Sequence, residues 1–218
     1  MTDSSSGCHS LNDAYARATS RPLAVIACGA LSSRVRAIVA SLPRTVEVHT
    51  LSAALHNRPA DITPAVESLC RTLMEEGKQV LLAYADCGTY GALDSLCQRL
   101  GIPRLPGLHC YDMLAGEDGV RRIFEQEPGT YLLTDFLVRC FDRLVVEELG
   151  IDRHPDLVAD YFSGYRRVLW LAERPDATLE RGAREIAARL GLPLEIQCVG
   201  TRNLDGRLRQ LLDNPMIG

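Results

Sequence analysis

The sequence has no apolar run approaching the roughly 20 residues of a membrane-spanning helix, so an integral membrane protein is not expected. It has no basic stripe either. Its 24 lysines and arginines are scattered among 28 acids, with a formal net charge of −4 and a pI near 5.8, which argues against a nucleic-acid surface. Neither GxGxxG nor GxxxxGK(S/T) occurs, so two well-known backbone cradles for phosphate are missing. Residues 1–10 are polar and Ser-rich, and lack the positive start and apolar stretch of a secretory signal. A cytoplasmic protein is expected, where thiols stay reduced. The eight cysteines are therefore not read as a disulfide framework. No two CxxC pairs, no internal repeat and no Ser/Gly linker are found.

What is present suits a globular protein of one large domain or two lobes: 218 residues, 46% hydrophobic and 24% charged. Residues 1–10 read as a disordered tail and 11–19 as a short entry helix. Compact apolar or β-branched runs predict strands at 22–28, 45–51, 79–84, 167–172 and 193–199, with a short extended return at 102–110. Helical spacing predicts helices at 32–41, 62–76, 90–100, 155–165, 178–190 and 203–213. One long helix is predicted over 130–149, from Leu133, Phe136, Leu137, Cys140, Phe141 and Leu144. Strands alternating with helices predict an α/β fold: a doubly wound, mostly parallel sheet with helices on both faces. Residues 11–218 read as a single α/β domain, divisible into lobes 22–127 and 128–218.

Parallel α/β sheets place their sites at the carboxyl ends of strands. Cys28, Cys87 and Cys110 each stand where a strand or extended segment ends, and two are followed by glycine. Glycine is read as letting the backbone turn sharply there. Three converging thiols predict a site for a soft metal ion or an iron–sulfur cluster. His56, in the loop after the second strand, and His109, beside Cys110, are candidate further ligands. Three cysteines with one histidine close a zinc site, whereas three cysteines alone leave a position open. Cys70, Cys97 and Cys140 sit on apolar helix faces and are expected to be buried and inert. Cys198 is a reserve ligand in the other half, and Cys8 belongs to the tail. His56 and Asp86 are candidate catalytic groups; Asp86 equally suits a bond to a ligating histidine or a local turn. The turn containing Gly88, Thr89 and Gly91 suits a carboxylate or phosphate cradle, or an ordinary helix start capped by Thr89. Trp170 is expected in the core.

Six segments together resemble a prokaryotic domain-of-unknown-function family, number sixteen thirty-eight. They are Ala27-Cys28-Gly29-Ala30-Leu31, Leu55-His56-Asn57-Arg58-Pro59, Tyr84-Ala85-Asp86-Cys87-Gly88, Gly107-Leu108-His109-Cys110-Tyr111, the stretch Pro128 to Phe136, and Tyr161-Phe162-Ser163-Gly164-Tyr165. The resemblance implies an association with corrinoid-dependent methyl-transfer systems of one-carbon metabolism. Three functions follow as expectations. The first is a zinc-dependent enzyme such as a methyltransferase, with a small-molecule substrate and a corrinoid or methyltransferase protein as partner. The second is an iron–sulfur protein whose four-iron cluster acts on a small hydroxy acid or moves electrons. The third is a non-catalytic metallochaperone or methyltransferase accessory protein.

Overall fold

The computed structural model describes residues 21–213, so the expected tail, the entry helix and Cys8 lie outside the described residues. Strand β1 (Leu23–Cys28) is buried at every position. Both faces and both edges are covered, which is why it reads as an unbroken apolar run. It pairs in parallel with β2 (Val46–Leu51) on one side and β3 (Gln79–Ala83) on the other, in the order β2-β1-β3. The connecting helices are α1 (Ser32–Val39) and α2 (Ile62–Glu75). Helix α2 buries Ile62, Val66, Cys70 and Leu73, the spacing of a single helical stripe. Helix α3 (Ala92–Leu100) follows β3 and ends on the left-handed Gly101.

The expected return at 102–110 runs alongside β3 as far as Leu108. Leu82 N donates to Pro103 O at 3.0 Å, Leu105 N to Leu82 O at 2.9 Å, and Cys87 N to Leu108 O at 2.7 Å. The chain then turns into α4 (Cys110–Ala115) and α5 (Glu117–Gln126). Neither helix is among those predicted from spacing: α4 is short, and Gly119 lowers the helical signal of α5.

The second half forms its own parallel sheet of β4 (Thr130–Thr134), β5 (Arg167–Ala172) and β6 (Leu194–Cys198), in that order. Its helices are α6 (Asp135–Phe141), α7 (Leu157–Phe162) and α8 (Ala177–Leu190). The α/β class with parallel strands and connecting helices is thus as expected, but the strands divide between two sheets rather than one. The predicted helix over 130–149 is also corrected. Its first turn is β4, Thr134 Oγ caps α6 by accepting from Leu137 N at 3.1 Å, and the helix passes into a π turn at Asp142–Val146. A short run such as Tyr131-Leu132-Leu133 fits either period, so its position after the Pro128-Gly129 turn decides. Strand β6 falls within the predicted 193–199, but it lies at the sheet edge, and its residues are mostly exposed, Cys198 among them.

Helix α9 (Arg202–Asp213) crosses back to the first sheet. Leu204, Leu208, Leu211 and Leu212 join the core around β1, and Asp205 pairs with Arg34 of α1. Among the described residues no helix is long and apolar enough to cross a membrane.

Trp170, Cys70 and Cys97 are buried as expected, but Cys140 is half-exposed on α6 beside Arg143. Burial above all pushes the Cys70 thiol up to about 12, the mark of an inert group. Cys70→Ala should therefore cost about 1 kcal/mol in a denaturant melt through the cavity it leaves. Cys140→Ala should stay within about 0.5 kcal/mol of the parent, as for surface substitutions.

Candidate metal centre

Four segments leave the first sheet over one edge. Strand β1 ends on Cys28, the continuation of β3 carries Cys87, and the strip beside it leads to Cys110. After β2, Ser52 Oγ accepts from Ala54 N at 3.2 Å and starts a tight turn, Ala53–Asn57, that carries His56. Neighbouring strands lie about 4.8 Å apart, so this order sets His56, Cys28, Cys87 and Cys110 side by side. Gly29 makes the approach possible. A Cβ there would stand 2.8 Å from Ala53 N and 2.9 Å from Leu51 O. Gly29 thus stands in the tight turn closed by Leu31 N donating to Cys28 O at 2.9 Å, as expected, and in addition admits a second backbone.

The imidazole of His56 is oriented from behind. Its Nδ1 donates to Ala53 O at 2.9 Å, and its Nε2 faces Cys28 Sγ at 3.7 Å. Its ring stacks on Tyr84 at 5.8 Å and 10°. A backbone carbonyl on one ring nitrogen is the arrangement that presents the other to a metal. Burial opposes charge on His56, but its bonds to Cys28 and Cys87 outweigh it and raise the imidazole to about 11. A hydrogen bond from Cys110 lowers the Cys87 thiol to about 5, burial opposes this, and His56 adds to the lowering. Cys110 is held well above the ordinary thiol range, first by that same bond and then by burial. In the metal-free protein the centre is thus an imidazolium–thiolate pair with a neutral thiol donating into it.

Tyr84 completes the surroundings; it opens one of the six family segments, but nothing in the sequence assigns it a part in the site. It is completely buried, and its hydroxyl has no hydrogen-bond partner among the described residues. Burial first, then Cys28 and Cys87, keep it protonated. Leaving a buried hydroxyl unpaired costs about 1–3 kcal/mol, so this donor beside three sulfurs calls for an acceptor. Three sulfurs and one imidazole nitrogen are a zinc donor set. Among the described residues no three such groups already stand at metal-ligand spacing. The groups would have to draw together around an ion, as coupled binding and ordering allows.

The other candidates take supporting places. His109 is exposed and stacks on Tyr111 at 6.5 Å. Its backbone N–H and that of Leu108 donate to the Asp112 carboxylate at 3.0 and 2.8 Å, which fixes the turn into Cys110. The Asp86 carboxylate accepts from Thr89 Oγ at 2.5 Å and from Tyr90 N and Gly91 N at 3.0 Å each. Burial raises its pKa, but these bonds and Arg104 bring it below the ordinary range. The turn at Gly88, Thr89 and Gly91 is therefore closed by the chain's own carboxylate; Gly91 is the residue before the helix, and Thr89 Oγ1 accepts from Leu93 N of its first turn at 3.4 Å. Cys87 and Tyr90 both take left-handed backbone with φ 51°, costing about 1–2 kcal/mol each for a side chain with a Cβ. Gly88 and Gly91 take the same hand freely, at φ 86° and 84°. Asn57, next to His56, donates to Leu144 O of the second half at 3.0 Å.

The pH dependence of the metal-free centre follows from the two shifts. Cys87 is lowered, so its stabilisation is present above the free thiol value and lost as pH falls through about 5. His56 is raised, so its contribution is complete below about 6.5 and lost as pH rises through about 11. Thiolate absorbance in the ultraviolet should persist on acidification until about pH 5, and Cys87→Ser should abolish that signal. An onset only near the free-thiol value, about 8.5, would contradict the pairing.

Comparison with curated proteins finds no match, and none is found among solved structures. A family model does match, over residues 50–208, a span that includes His56, Cys87 and Cys110. The chain belongs to the family described as protein of unknown function (DUF1638).

Proposed function

We propose that this protein binds a soft metal ion, zinc in the first instance, on Cys28, Cys87, Cys110 and His56, and serves as a methyl-transferring enzyme of one-carbon metabolism. The observation that supports the metal reading is that Cys28 and Cys87 both interact with the oriented His56 imidazole and Cys110 with Cys87, beside the unpaired Tyr84 hydroxyl. The methyl-transfer part rests on the family resemblance, which implies a corrinoid protein as methyl donor. Zinc, when bound, supplies a Lewis acid that favours a substrate sulfur as its anion.

The chain's own groups have distinct tasks. The three sulfurs hold the ion. Nε2 of His56 completes the set or, where a substrate takes that place, accepts the substrate thiol's proton. Tyr84 Oη, unpaired among the described residues, is free to donate to one of these sulfurs once it holds the ion. The closed Asp86 turn keeps Cys87 in place without touching the reacting atoms.

Protein purified without oxygen should carry about one zinc per chain by elemental analysis. Cys28→Ser, Cys87→Ser and Cys110→Ser should each lower zinc affinity at least about tenfold, and Cys70→Ser and His109→Ala should not. A brown protein with broad visible absorption would replace zinc by the four-iron alternative on the same sulfurs. Protein that neither retains nor takes up metal, with its fold intact, would end the metal reading.

A further inference from the structure

A concavity that none of Cys28, Cys87 and Cys110 lines lies nearby. A crevice of about 420 Å³ opens between the two sheets, lined by Leu31 and Arg34 on one side and by Asp135, Arg139, Glu173 and Arg174 on the other. These residues leave their sheets at carboxyl ends: the turn after β1, the start of α6 after β4, and the turn after β5. Ligands of parallel α/β proteins bind at that end, and the volume falls in the usual range for small molecules.

The charges in the crevice are unequally committed. Arg34 is paired with Asp205 and also donates to Thr201 Oγ1 at 3.1 Å. The Asp135 carboxylate accepts from Trp170 Nε1 at 2.9 Å, Glu173 N at 3.2 Å and Arg174 N at 2.9 Å. Arg139 gives one N–H to Asp135 O at 3.1 Å. Neither Arg139 nor Arg174 forms an ion pair among the described residues. Two guanidinium groups with donors to spare therefore share one crevice. The acid between them carries reduced countercharge. Burial first, then the negative charge of Asp135, pushes the Glu173 carboxyl up to about 7, with Arg34 and Arg139 pulling it back and Asp205 adding to the rise.

We propose that this crevice binds a small metabolite through an oxyanion, a carboxylate or a phosphate, held by Arg139 and Arg174. Planar guanidinium groups match both oxyanions with paired hydrogen bonds. When protonated, Glu173 adds a donor at the same place; when ionised, it repels the anion. Leu31 N donates to Cys28 O at 2.9 Å, so the crevice wall continues directly into the turn after Cys28. The proposal stands without any metal at the thiols.

Calorimetric titration of the full chain with inorganic phosphate and, separately, with acetate tests it, and the arm that saturates identifies the headgroup. One site per chain in the millimolar range is expected; for acetate, whose charge is constant there, affinity should fall as pH rises through about 7. Arg139→Gln and Arg174→Gln should each weaken it at least about tenfold, the loss of a charged hydrogen-bonding partner. Both side chains belong to exposed residues, so thermal melts should show the fold unchanged. Arg153→Gln, an exposed arginine elsewhere, should have no effect. In Glu173→Gln both anions should still bind, and the pH dependence of acetate binding should be gone. Failure of both anions to bind, or binding indifferent to both arginine substitutions, would overturn the proposal.

Discussion

Parallel pairing of β1 with its two neighbours is the constraint on which the rest of the structure depends. Leu23 stands opposite Val46 on one side and Gln79 on the other, so all three strands point their carboxyl ends at one edge. Because β1 is buried on both faces, only apolar residues can fill it. Polar chemistry is confined to where the strands stop. Each strand delivers one reactive side chain to that edge, and the spacing between strands supplies the spacing between groups. An antiparallel partner would have sent its last residue to the opposite end.

The turn after β3 shows how a strained backbone is kept in place. Two side-chain-bearing residues in the left-handed region, Cys87 and Tyr90, are held by the Asp86 carboxylate and by the bond from Cys87 N to Leu108 O. Strain of this kind persists only where its surroundings over-determine it. Here Asp86 does inside the protein what a bound anion does at a phosphate loop, so the N–H groups of Tyr90 and Gly91 are already spoken for.

Much of this edge is legible in the sequence. Cys28, Cys87, Cys110 and His56 could be gathered from the sequence because strand ends are visible as apolar runs broken by Gly or a loop. His109 could not be separated from His56 that way, since adjacency to Cys110 says nothing about which way a ring points; in the structure His56 faces Cys28, and His109 is exposed at the start of α4. Tyr84 was hidden because a tyrosine closing an apolar strand looks like core until its hydroxyl is seen to lack a partner. The crevice residues Glu173 and Arg174 follow β5 just as Cys87 follows β3, but charged residues after a strand are common in solvent and carry no signal alone. The division into two sheets was not legible either, because strand pairing is a long-range property that period and propensity do not encode. The same holds for β4, whose five residues fit a helix or a strand equally well until Thr134 is recognised as a cap.

The return of α9 to the first sheet has a consequence for how the chain is made. The core around β1 stays open on one side until Leu204, Leu208, Leu211 and Leu212 have been synthesised, after the whole second sheet. The second core needs nothing beyond Leu194. Emerging from the ribosome in order, the later-encoded sheet can therefore close first, while the earlier one waits with apolar surface exposed. Such contacts, far apart in sequence, slow folding and prolong exposure to aggregation. The thiols sit on the half that waits, so their surroundings can close only after the second sheet has emerged, although Cys28 precedes all of that sheet in the chain.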